Sequence, residues 1–246
     1  MTLSKEELER YNRQIMVWGT DAQEKLKKST VLVVGAGGLG SAVSLYLVAA
    51  GVGRLIIVDP QEVELSNLNR QVLHWTPDIG RQKVESAKEK LEKLNPHIEV
   101  EAVAEKFTEK NAARLVGQAD VAVDAADNWA TRFTLNEACV KLGKPFVHAG
   151  VRGMYGQLTV IYPGKGPCLR CIIPRTPPEE APLPVVGALP GIMGTMEALE
   201  ALKLLTGHGK SLIGKLLIFD GNRGETTILS VKRRTNCPVC GTIKAK

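Results

Sequence analysis

The sequence predicts an α/β fold: a Rossmann-like, doubly wound, mostly parallel sheet that is extended by antiparallel strands. Short β-branched runs alternate with helix-like segments as far as Gly150, which is the pattern of βαβ units. A glycine-rich turn joins the first run to the first of these helices. After Gly150 polar and apolar residues alternate and helices become rare, as in antiparallel strands. We expect a single domain over residues 1–246, with a helical segment 1–30, a core 31–150 and an extension 151–246.

Residues 31–59 form the centre of this core, because they read as strand, glycine turn, helix and strand without interruption. The spacing Gly35-x-Gly37-x-x-Gly40 allows a tight turn and lets a phosphate approach the backbone without a Cβ in the way. The following helix N-terminus offers free N–H groups and about half a positive charge. Asp59 ends the second strand, where it can accept hydrogen bonds from a ribose. We therefore predict a nucleotide-binding core; the alternative is a glycine turn that binds nothing.

Composition and charge favour a globular protein and argue against a nucleic-acid-binding or membrane protein. With 44% hydrophobic residues, the chain can bury a full core. Lys and Arg exceed Asp and Glu by 32 to 26, yet no basic run is long enough to predict nucleic-acid binding. The first residues lack an apolar signal core and no apolar stretch reaches the roughly 18 residues that span a bilayer, so we expect a cytoplasmic protein that does not associate with membranes.

The N-terminal segment is predicted to contain an amphipathic helix. Ser4 and Glu7 have the spacing of a capping box, which marks a helix start. The helix is expected to continue to about residue 15, with Leu8, Tyr11 and Ile15 on one face.

The connection after Asp59 is long and polar, and reads QEVELSNLNRQVLHWTPDIGRQK. Long loops inside compact domains usually carry function. This one contains Asn67 and Arg70 and ends at Lys83. The next helix, from about residue 81 to 94, is expected to end before Pro96, whose ring disfavours helical backbone in the preceding residue.

The remaining core elements alternate regularly. We predict strands at 98–104, 119–124 and 145–149, a short helix at 111–116 and a longer helix at 129–142. Cys139 lies inside the longer helix and is interpreted as a small buried hydrophobe. Asp127 and Asn128 follow the strand that ends at residue 124. Because ligands of open parallel sheets lie beyond the carboxyl ends of the strands, the glycine turn, Asp59 and Asp127 are expected to meet in one crevice. Asp127 has a second interpretation as the N-cap of the following helix.

The C-terminal part is predicted to contain strands at 156–162, 215–219 and 226–231 and a helix at 191–205. Between the first strand and the helix lies a proline-rich stretch, 174–190, which we assign to a crossover loop over residues 172–190. Proline fits neither a helix interior nor a central strand.

Two CxxC pairs, Cys168–Cys171 and Cys237–Cys240, have the spacing of a tetrahedral four-cysteine zinc site. Such a metal would tie together two segments roughly 65 residues apart, offsetting a loop-closure cost. The alternative is a thioredoxin-like redox pair, which normally opens a helix, whereas both pairs here lie in Pro/Gly-rich loops. Four thiolates leave no open position for a substrate, so the predicted zinc is structural.

These motifs together resemble one known family. GAGGLGS, LIIVDPQEVELSNLNRQVLH, GRQK, DAADNWATR and the two CxxC pairs, in this order and spacing, are similar to the ThiF/MoeB/HesA family of ubiquitin-activating-enzyme-like adenylyltransferases. The resemblance covers nearly the whole chain. It implies ATP with Mg²⁺, adenylation of the C-terminal glycine of a small ubiquitin-like sulfur carrier ending in Gly-Gly, and a homodimer.

The resemblance also implies a role for each matching residue. Asp59 would hold the ribose, Arg13 would reach the site of the partner subunit, and Asp127 would anchor Mg²⁺ beside Asn128. The expected phosphate contacts are Gly35, Gly37, Gly38, Gly40, Asn67, Arg70 and Lys83. The cationic members suit the chemistry, because a carboxylate that attacks a triphosphate needs positive charge around it. For Arg13 the alternative is a solvated charge on an amphipathic helix.

One feature departs from many relatives, which carry a cysteine in the crossover loop. Here the loop reads RTPPEEAPLPVVGALP, with Glu180 near the expected position. A glutamate cannot accept the acyl group as a thioester, so we expect activation to stop at the acyl-adenylate. Sulfur would then come from a separate sulfurtransferase or cysteine desulfurase.

Other functions share some of these features. A nicotinamide-dependent oxidoreductase would use the glycine turn and Asp59 but not the cluster of Asn67, Arg70 and Lys83. A zinc scaffold without catalytic activity would not need Asp127. Adenylation of a different acceptor, a peptide or a tRNA base, stays open, because no motif marks the acceptor surface.

Overall fold

The computed structural model describes residues 2–178 and 183–242, and its strands form one sheet. In chain order they are β1 (Thr30–Val34), β2 (Arg54–Val58), β3 (Glu99–Val103), β4 (Val121–Asp124), β5 (Phe146–Arg152), β6 (Tyr155–Ile161), β7 (Lys215–Asp220) and β8 (Glu225–Ser230). Their order across the sheet is β3-β2-β1-β4-β5-β6-β7-β8. The first five strands run parallel, and the last three extend the sheet as antiparallel neighbours. The predicted fold class is confirmed.

Helices cover both faces of the parallel part. They are α1 (Lys5–Arg10), α2 (Asn12–Lys28), α3 (Gly38–Ala49), α4 (Lys83–Leu94), α5 (Glu109–Gln118), α6 (Trp129–Leu142), α7 (Leu169–Ile172) and α8 (Ala188–Thr206). Val31 and Val33 of β1 pack in a core with α2, α3, α4 and α8, whereas Leu32 and Val34 pack with α5, α6 and α7. A strand buried on both faces is apolar at nearly every position, which explains the unbroken apolar run from residue 31 to residue 34.

The N-terminal helix differs from its prediction. The capping box is present, since the Glu7 N–H donates to Ser4 Oγ at 3.1 Å and the Ser4 N–H donates to Glu7 Oε2 at 2.7 Å. However, α1 ends at Arg10 and a new helix begins at Asn12. Tyr11 between them is buried, and its hydroxyl accepts a hydrogen bond from Asn95 Nδ2 at 2.8 Å. Leu8, expected on the buried face, is 41% exposed. The break therefore serves a tertiary contact that helical periodicity does not reveal.

Two predictions on the C-terminal part were wrong: one on where a helix starts and one on the secondary structure of the first CxxC pair. The helix predicted from residue 191 begins at Ala188, so Pro190 lies in the first turn of α8 instead of the preceding loop. Proline is tolerated there because N–H groups of the first turn have no partner within the helix. The first CxxC pair lies on a single helical turn, α7, with Cys168 as N-cap, instead of in a loop.

The other predicted elements are present with boundary shifts of a few residues. Helix α6 has the predicted bounds and ends at Gly143, which adopts the left-handed conformation with φ 68°. The predicted helix at 111–116 extends over Glu109–Gln118, and the strand predicted from residue 145 continues to Arg152. Among the residues that the structure describes, no helix has the length and apolar character needed to cross a membrane.

Candidate active site

The glycine turn lies directly against the end of β4. Gly35 has φ +109°, a conformation that other residues rarely adopt, and a Cβ at this position would lie 2.4 Å from the Ala125 carbonyl oxygen. A Cβ at Gly40 would lie 2.0 Å from the carbonyl oxygen of Gly35. Gly37 is the N-cap of α3. The glycines at 35 and 40 are thus required by backbone-to-backbone contact, and the α3 N-terminus opens at the carboxyl edge of the sheet.

Asp59 is joined to this turn. Its Oδ2 accepts the backbone N–H of Ala36 at 2.8 Å, and its Oδ1 accepts the N–H of Gln61 at 2.8 Å. Each carboxylate oxygen can accept a further hydrogen bond, so these contacts leave acceptor capacity for a ligand hydroxyl. The carboxylate is buried at the end of β2, where the sequence predicted it.

The long loop after Asp59 folds back on itself and carries Asn67 and Arg70. Asn67 is buried, and its Oδ1 accepts the N–H of Glu64 at 3.0 Å. The guanidinium of Arg70 donates to the Ser66 carbonyl at 2.8 Å. The segment that precedes α8 packs on this loop, since a Cβ at Gly187 would lie 2.1 Å from the Asn69 carbonyl oxygen.

Lys83 connects these parts electrostatically. It is 3% exposed, and its Nζ donates to Gln61 Oε1 at 2.7 Å. Burial lowers the pKa of Lys83, while the charges of Asp59 and Asp127 act to raise it and Arg70 acts to lower it further. The ammonium group therefore lies within electrostatic reach of three carboxylates, Asp59, Glu64 and Asp127, and of the Arg70 guanidinium. Asp127 comes from the β4–α6 connection, and the other three come from the β2–α4 connection.

Asp127 and Asn128 follow β4 with different structural roles. The N-cap of α6 is Asn128, whose Oδ1 accepts the N–H of Thr131 at 2.9 Å, so the capping interpretation of Asp127 is wrong. Asp127 is exposed and accepts a hydrogen bond from Asn128 Nδ2 at 3.1 Å. Its carboxylate is accessible to a cation at the carboxyl edge of the sheet.

Arg13 is not brought into this cluster. It lies exposed on α2, and its guanidinium makes no hydrogen bond or ion pair with residues 2–178 and 183–242. Met16 and Val17, three and four positions further along the same helix face, are 71% and 69% exposed. The face that carries Arg13 is therefore apolar and uncovered in the single chain.

The four cysteines of the CxxC pairs form one buried cluster. All four Sγ atoms lie within 4.8 Å of one another, with 3.5 Å between Cys168 and Cys237 and 3.4 Å between Cys171 and Cys240. Sulfurs around a tetrahedral zinc ion stand about 3.8 Å apart for a Zn–S bond of about 2.3 Å. Burial raises the pKa of Cys168. Burial also acts to raise the pKa of Cys237, but hydrogen bonds from the backbone N–H groups of Cys240 and Val239 and from the thiols of Cys168 and Cys171 together lower that pKa to about 7. The donor set and its spacing fit zinc.

The family model described as the ThiF family matches residues 11–239. This chain belongs to the ThiF family.

Relatives of this ThiF-family chain match over nearly its whole length. It is 45% identical over 254 residues to the sulfur carrier protein adenylyltransferase of Thermus thermophilus, covering 98% of this chain and 93% of that protein. It is 46% identical over 244 residues to protein HesA of Leptolyngbya boryana, covering 98% and 88%. It is 44% identical over 246 residues to the adenylyltransferase and sulfurtransferase MOCS3 of Culex quinquefasciatus, covering 97% of this chain and 56% of MOCS3. The chain thus spans just over half of MOCS3.

Solved structures give the same fold. MccB of E. coli in complex with MccA-N7isoASN superposes with a TM-score of 0.84 at 25% identity, over 98% of this chain and 76% of MccB. MccB with ATP superposes with a TM-score of 0.83 at 26% identity, over 94% of this chain and 73% of MccB.

Cys139, outside the cluster, is fully buried in α6 of this ThiF-family chain. Burial raises its pKa well above the ordinary value, which makes it a poor nucleophile. This agrees with its interpretation as a buried hydrophobe. Glu180 of the crossover loop lies outside the described residues.

Sequence reasoning missed two residues that touch the site's loops. His74 is buried, with Nε2 2.9 Å from the Ala36 carbonyl oxygen in the glycine turn. Arg132 is buried and donates to the carbonyl oxygens of Ala126 and Ala149 at 2.5 and 2.7 Å, which holds the segment that leads to Asp127. Neither belongs to a periodic pattern; the only sequence signal was that His74 ends the quoted motif LIIVDPQEVELSNLNRQVLH and Arg132 ends the quoted motif DAADNWATR.

Proposed function

We propose that this chain uses ATP to adenylate the C-terminal glycine of a small ubiquitin-like sulfur-carrier protein and releases pyrophosphate. The observation that carries the proposal is Lys83, a buried ammonium linked through Gln61 to Asp59 and within electrostatic reach of Asp127 and Arg70. A dinucleotide oxidoreductase needs no such cation. The relatives named as adenylyltransferases support the same activity.

The reaction follows from the charges at this site. A carboxylate oxygen of the carrier attacks the α-phosphorus, a C–O–P bond forms, and the α–β phosphoanhydride bond breaks with its electron pair leaving on pyrophosphate. No general base is needed, because a C-terminal carboxyl group is ionised at neutral pH. Lys83 and Arg70 lessen the repulsion between the carboxylate and the triphosphate and stabilise the charge that develops.

Each remaining site residue has a proposed contact with the substrate. Asp59 accepts the ribose hydroxyls, Asn67 donates to the phosphates through its amide, and Asp127 with Asn128 holds Mg²⁺. The phosphates approach the N-terminus of α3 at Gly35, Gly37, Gly38 and Gly40. Mg²⁺ supplies charge neutralisation of the leaving pyrophosphate.

A homodimer would complete the site. The exposed apolar pair Met16 and Val17 beside Arg13 supports a partner on this face of α2, because apolar side chains of this size gain by being covered. In the dimer Arg13 reaches the partner's ATP and acts on the transition-state charge.

The four-cysteine cluster would hold a structural zinc ion. Four thiolates fill a tetrahedral site and leave no position for substrate. Sulfur is then delivered to the carrier adenylate by a separate sulfurtransferase or cysteine desulfurase, since this chain offers only the buried Cys139 outside the cluster.

The decisive experiment is ATP–pyrophosphate exchange with purified candidates. Exchange that requires both Mg²⁺ and a carrier ending in Gly-Gly, and that is lost when the last glycine is removed, supports the proposal. Exchange that depends on a peptide or a tRNA in place of the carrier would show that this molecule, and not a sulfur carrier, is the acceptor. Stabilisation of the chain against heat by NAD but not by ATP with Mg²⁺ would favour an oxidoreductase.

A further inference from the structure

The peptide groups on either side of Ala36 are held from two directions. The Ala36 N–H donates to Asp59 Oδ2 at 2.8 Å, and the Ala36 carbonyl oxygen lies 2.9 Å from His74 Nε2. Both partners are buried, with His74 3% and Asp59 7% exposed. The centre of the glycine turn is thus fixed by side chains from two other segments.

His74 is the last member of a buried polar chain. Its Nδ1 lies 3.0 Å from Ser86 Oγ, and the same hydroxyl lies 2.9 Å from Lys90 Nζ. Lys90 is paired with Asp78 Oδ2 at 2.5 Å and lies 4.8 Å from the ring centroid of Trp75. The side chains of Lys90 and Asp78 are 8% and 5% exposed.

The two ends of this network of polar side chains determine which atom donates in each of its hydrogen bonds. The ammonium of Lys90 only donates, and the Ala36 carbonyl only accepts. With a neutral imidazole, which burial favours by lowering the pKa of His74, Nε2 must carry the proton and Nδ1 must accept from Ser86. If the Ser86 hydroxyl instead donated to the nearby Asp78 carboxylate, His74 would carry its proton on Nδ1, and the bare Nε2 would face a carbonyl oxygen.

We propose that His74 is a positioning residue for the phosphate-binding turn, held as its Nε2–H tautomer by the chain Asp78–Lys90–Ser86. The imidazole anchors the Ala36 carbonyl inside the protein, away from the anionic phosphates, and so leaves the N–H groups of the turn to face them. The identity of the ligand rests on the proposed function, whereas the tautomer and the anchoring do not.

The first test determines the tautomer of His74 by nitrogen NMR in the absence of nucleotide. The full chain with ¹⁵N-labelled histidine has four imidazoles, and loss of one signal set in His74→Gln assigns His74. We expect a neutral ring with a protonated Nε2 and a hydrogen-bonded Nδ1, and in Ser86→Ala a shift of the Nδ1 resonance alone. An Nδ1-protonated or doubly protonated ring, or an unshifted Nδ1 in Ser86→Ala, would overturn the inference.

The second test measures how His74 variants change the affinity of the chain for ATP. His74→Leu should weaken ATP binding about fivefold, the scale of one lost hydrogen bond, with kcat nearly unchanged. His74→Gln, which keeps an amide donor near the position of Nε2, should recover most of the affinity. The control is Lys93→Met, which removes an ammonium from an exposed ion pair on the same helix as Ser86 and should change nothing. If His74→Gln binds ATP as weakly as His74→Leu, or if His74→Leu binds like wild type, His74 does not position the turn.

The two tests separate this inference from the proposed function. Failure of the wild-type chain to exchange pyrophosphate with any carrier, despite normal ATP binding, would refute the adenylation of a carrier and leave the anchoring of Ala36 by His74 intact. A wrong tautomer in an active enzyme would refute the anchoring alone.

Discussion

Asp59 accepts the Ala36 N–H through Oδ2 at 2.8 Å, so the carboxylate at the end of β2 and the glycine turn at the end of β1 form one hydrogen-bonded unit. Binding a nucleotide need not bring these two parts together, because they are already joined in the free chain. Preorganisation of this kind lowers the entropic cost of ordering a site around its ligand.

Asp127→Ala is expected to abolish Mg²⁺-dependent ATP–pyrophosphate exchange, with a loss of about a hundredfold or more, and to leave the thermal unfolding midpoint nearly unchanged. Asp127 is exposed and the cap of α6 is supplied by Asn128, so the fold does not depend on its carboxylate. Exchange assays and thermal scans measure the two quantities. Glu137→Ala removes an exposed carboxylate from α6 and should retain activity. Normal exchange in Asp127→Ala would contradict the assignment.

Lys83→Met is expected to lose exchange activity. At neutral pH its free energy of unfolding should be at least as large as that of wild type. Burial lowers the pKa of Lys83 below its ordinary 10.5, so the unfolded chain binds this proton more tightly than the folded chain. The stability of wild type relative to the variant should therefore rise as pH increases toward 10.5.

Urea unfolding at about pH 7 and about pH 10 measures this difference. Lys88→Met, which removes an exposed ammonium paired with Glu92 at 3.8 Å, should leave both activity and the pH dependence of stability unchanged. A Lys83→Met chain that is active, or that is less stable than wild type only at neutral pH, would show that the ammonium is not a functional charge held at a cost in stability.

Arg13→Ala is expected to lower exchange by about a hundredfold, the scale of losing one donor that stabilises developing charge. If Arg13 acts on the partner's ATP, mixing inactive Arg13→Ala and Lys83→Met chains should restore activity, because one of the two sites in the mixed dimer then has both residues. Arg10→Ala, on the neighbouring helix, is the matched control. Absence of recovery after subunit exchange, verified by mass, would place Arg13 outside the partner's site.

Removal of zinc is expected to lower the thermal unfolding midpoint. The purified chain should contain about one zinc per protomer. Chelation should destabilise the chain because it removes the Zn²⁺ ion that the four buried sulfurs coordinate. Elemental analysis and thermal scans with and without chelator test this. ATP affinity should persist at temperatures where the chelated protein stays folded. Metal-free protein that carries two disulfides after growth with ample zinc would reject the site.

Incubation with ATP, Mg²⁺ and a carrier should yield carrier with the added mass of AMP and no thiol-sensitive adduct with the enzyme. Cys139 is buried with a raised pKa, and the other four thiols belong to the cluster. Glu180→Ala should leave the adenylation rate nearly unchanged. Intact mass spectra and non-reducing gels detect either product. An adduct that disappears in Cys139→Ser would show that this cysteine becomes accessible during the reaction.

The parts of the fold that the sequence predicts best are those decided locally. The bounds of α6 are correct because polar residues that favour a helix start precede Trp129 and a glycine follows Leu142, although the N-cap is Asn128 instead of Asp127. The break at Tyr11 is decided by Asn95, which lies 84 residues away, and no local pattern contains that information. The same reason explains why His74 was missed: its partner in the glycine turn is 38 residues away and belongs to the backbone.

The cysteine cluster also sets an order of events during synthesis. Cys168 and Cys237 are 69 residues apart, so the ribosome delivers the first CxxC pair well before the second. Until Cys237 and Cys240 emerge, the nascent chain has two unpaired thiols beside α6 and no means to close the cluster. Closure therefore comes only after α8, β7 and β8 have been made, so a chain that stops short of the antiparallel end of the sheet is left with an open pair of thiols.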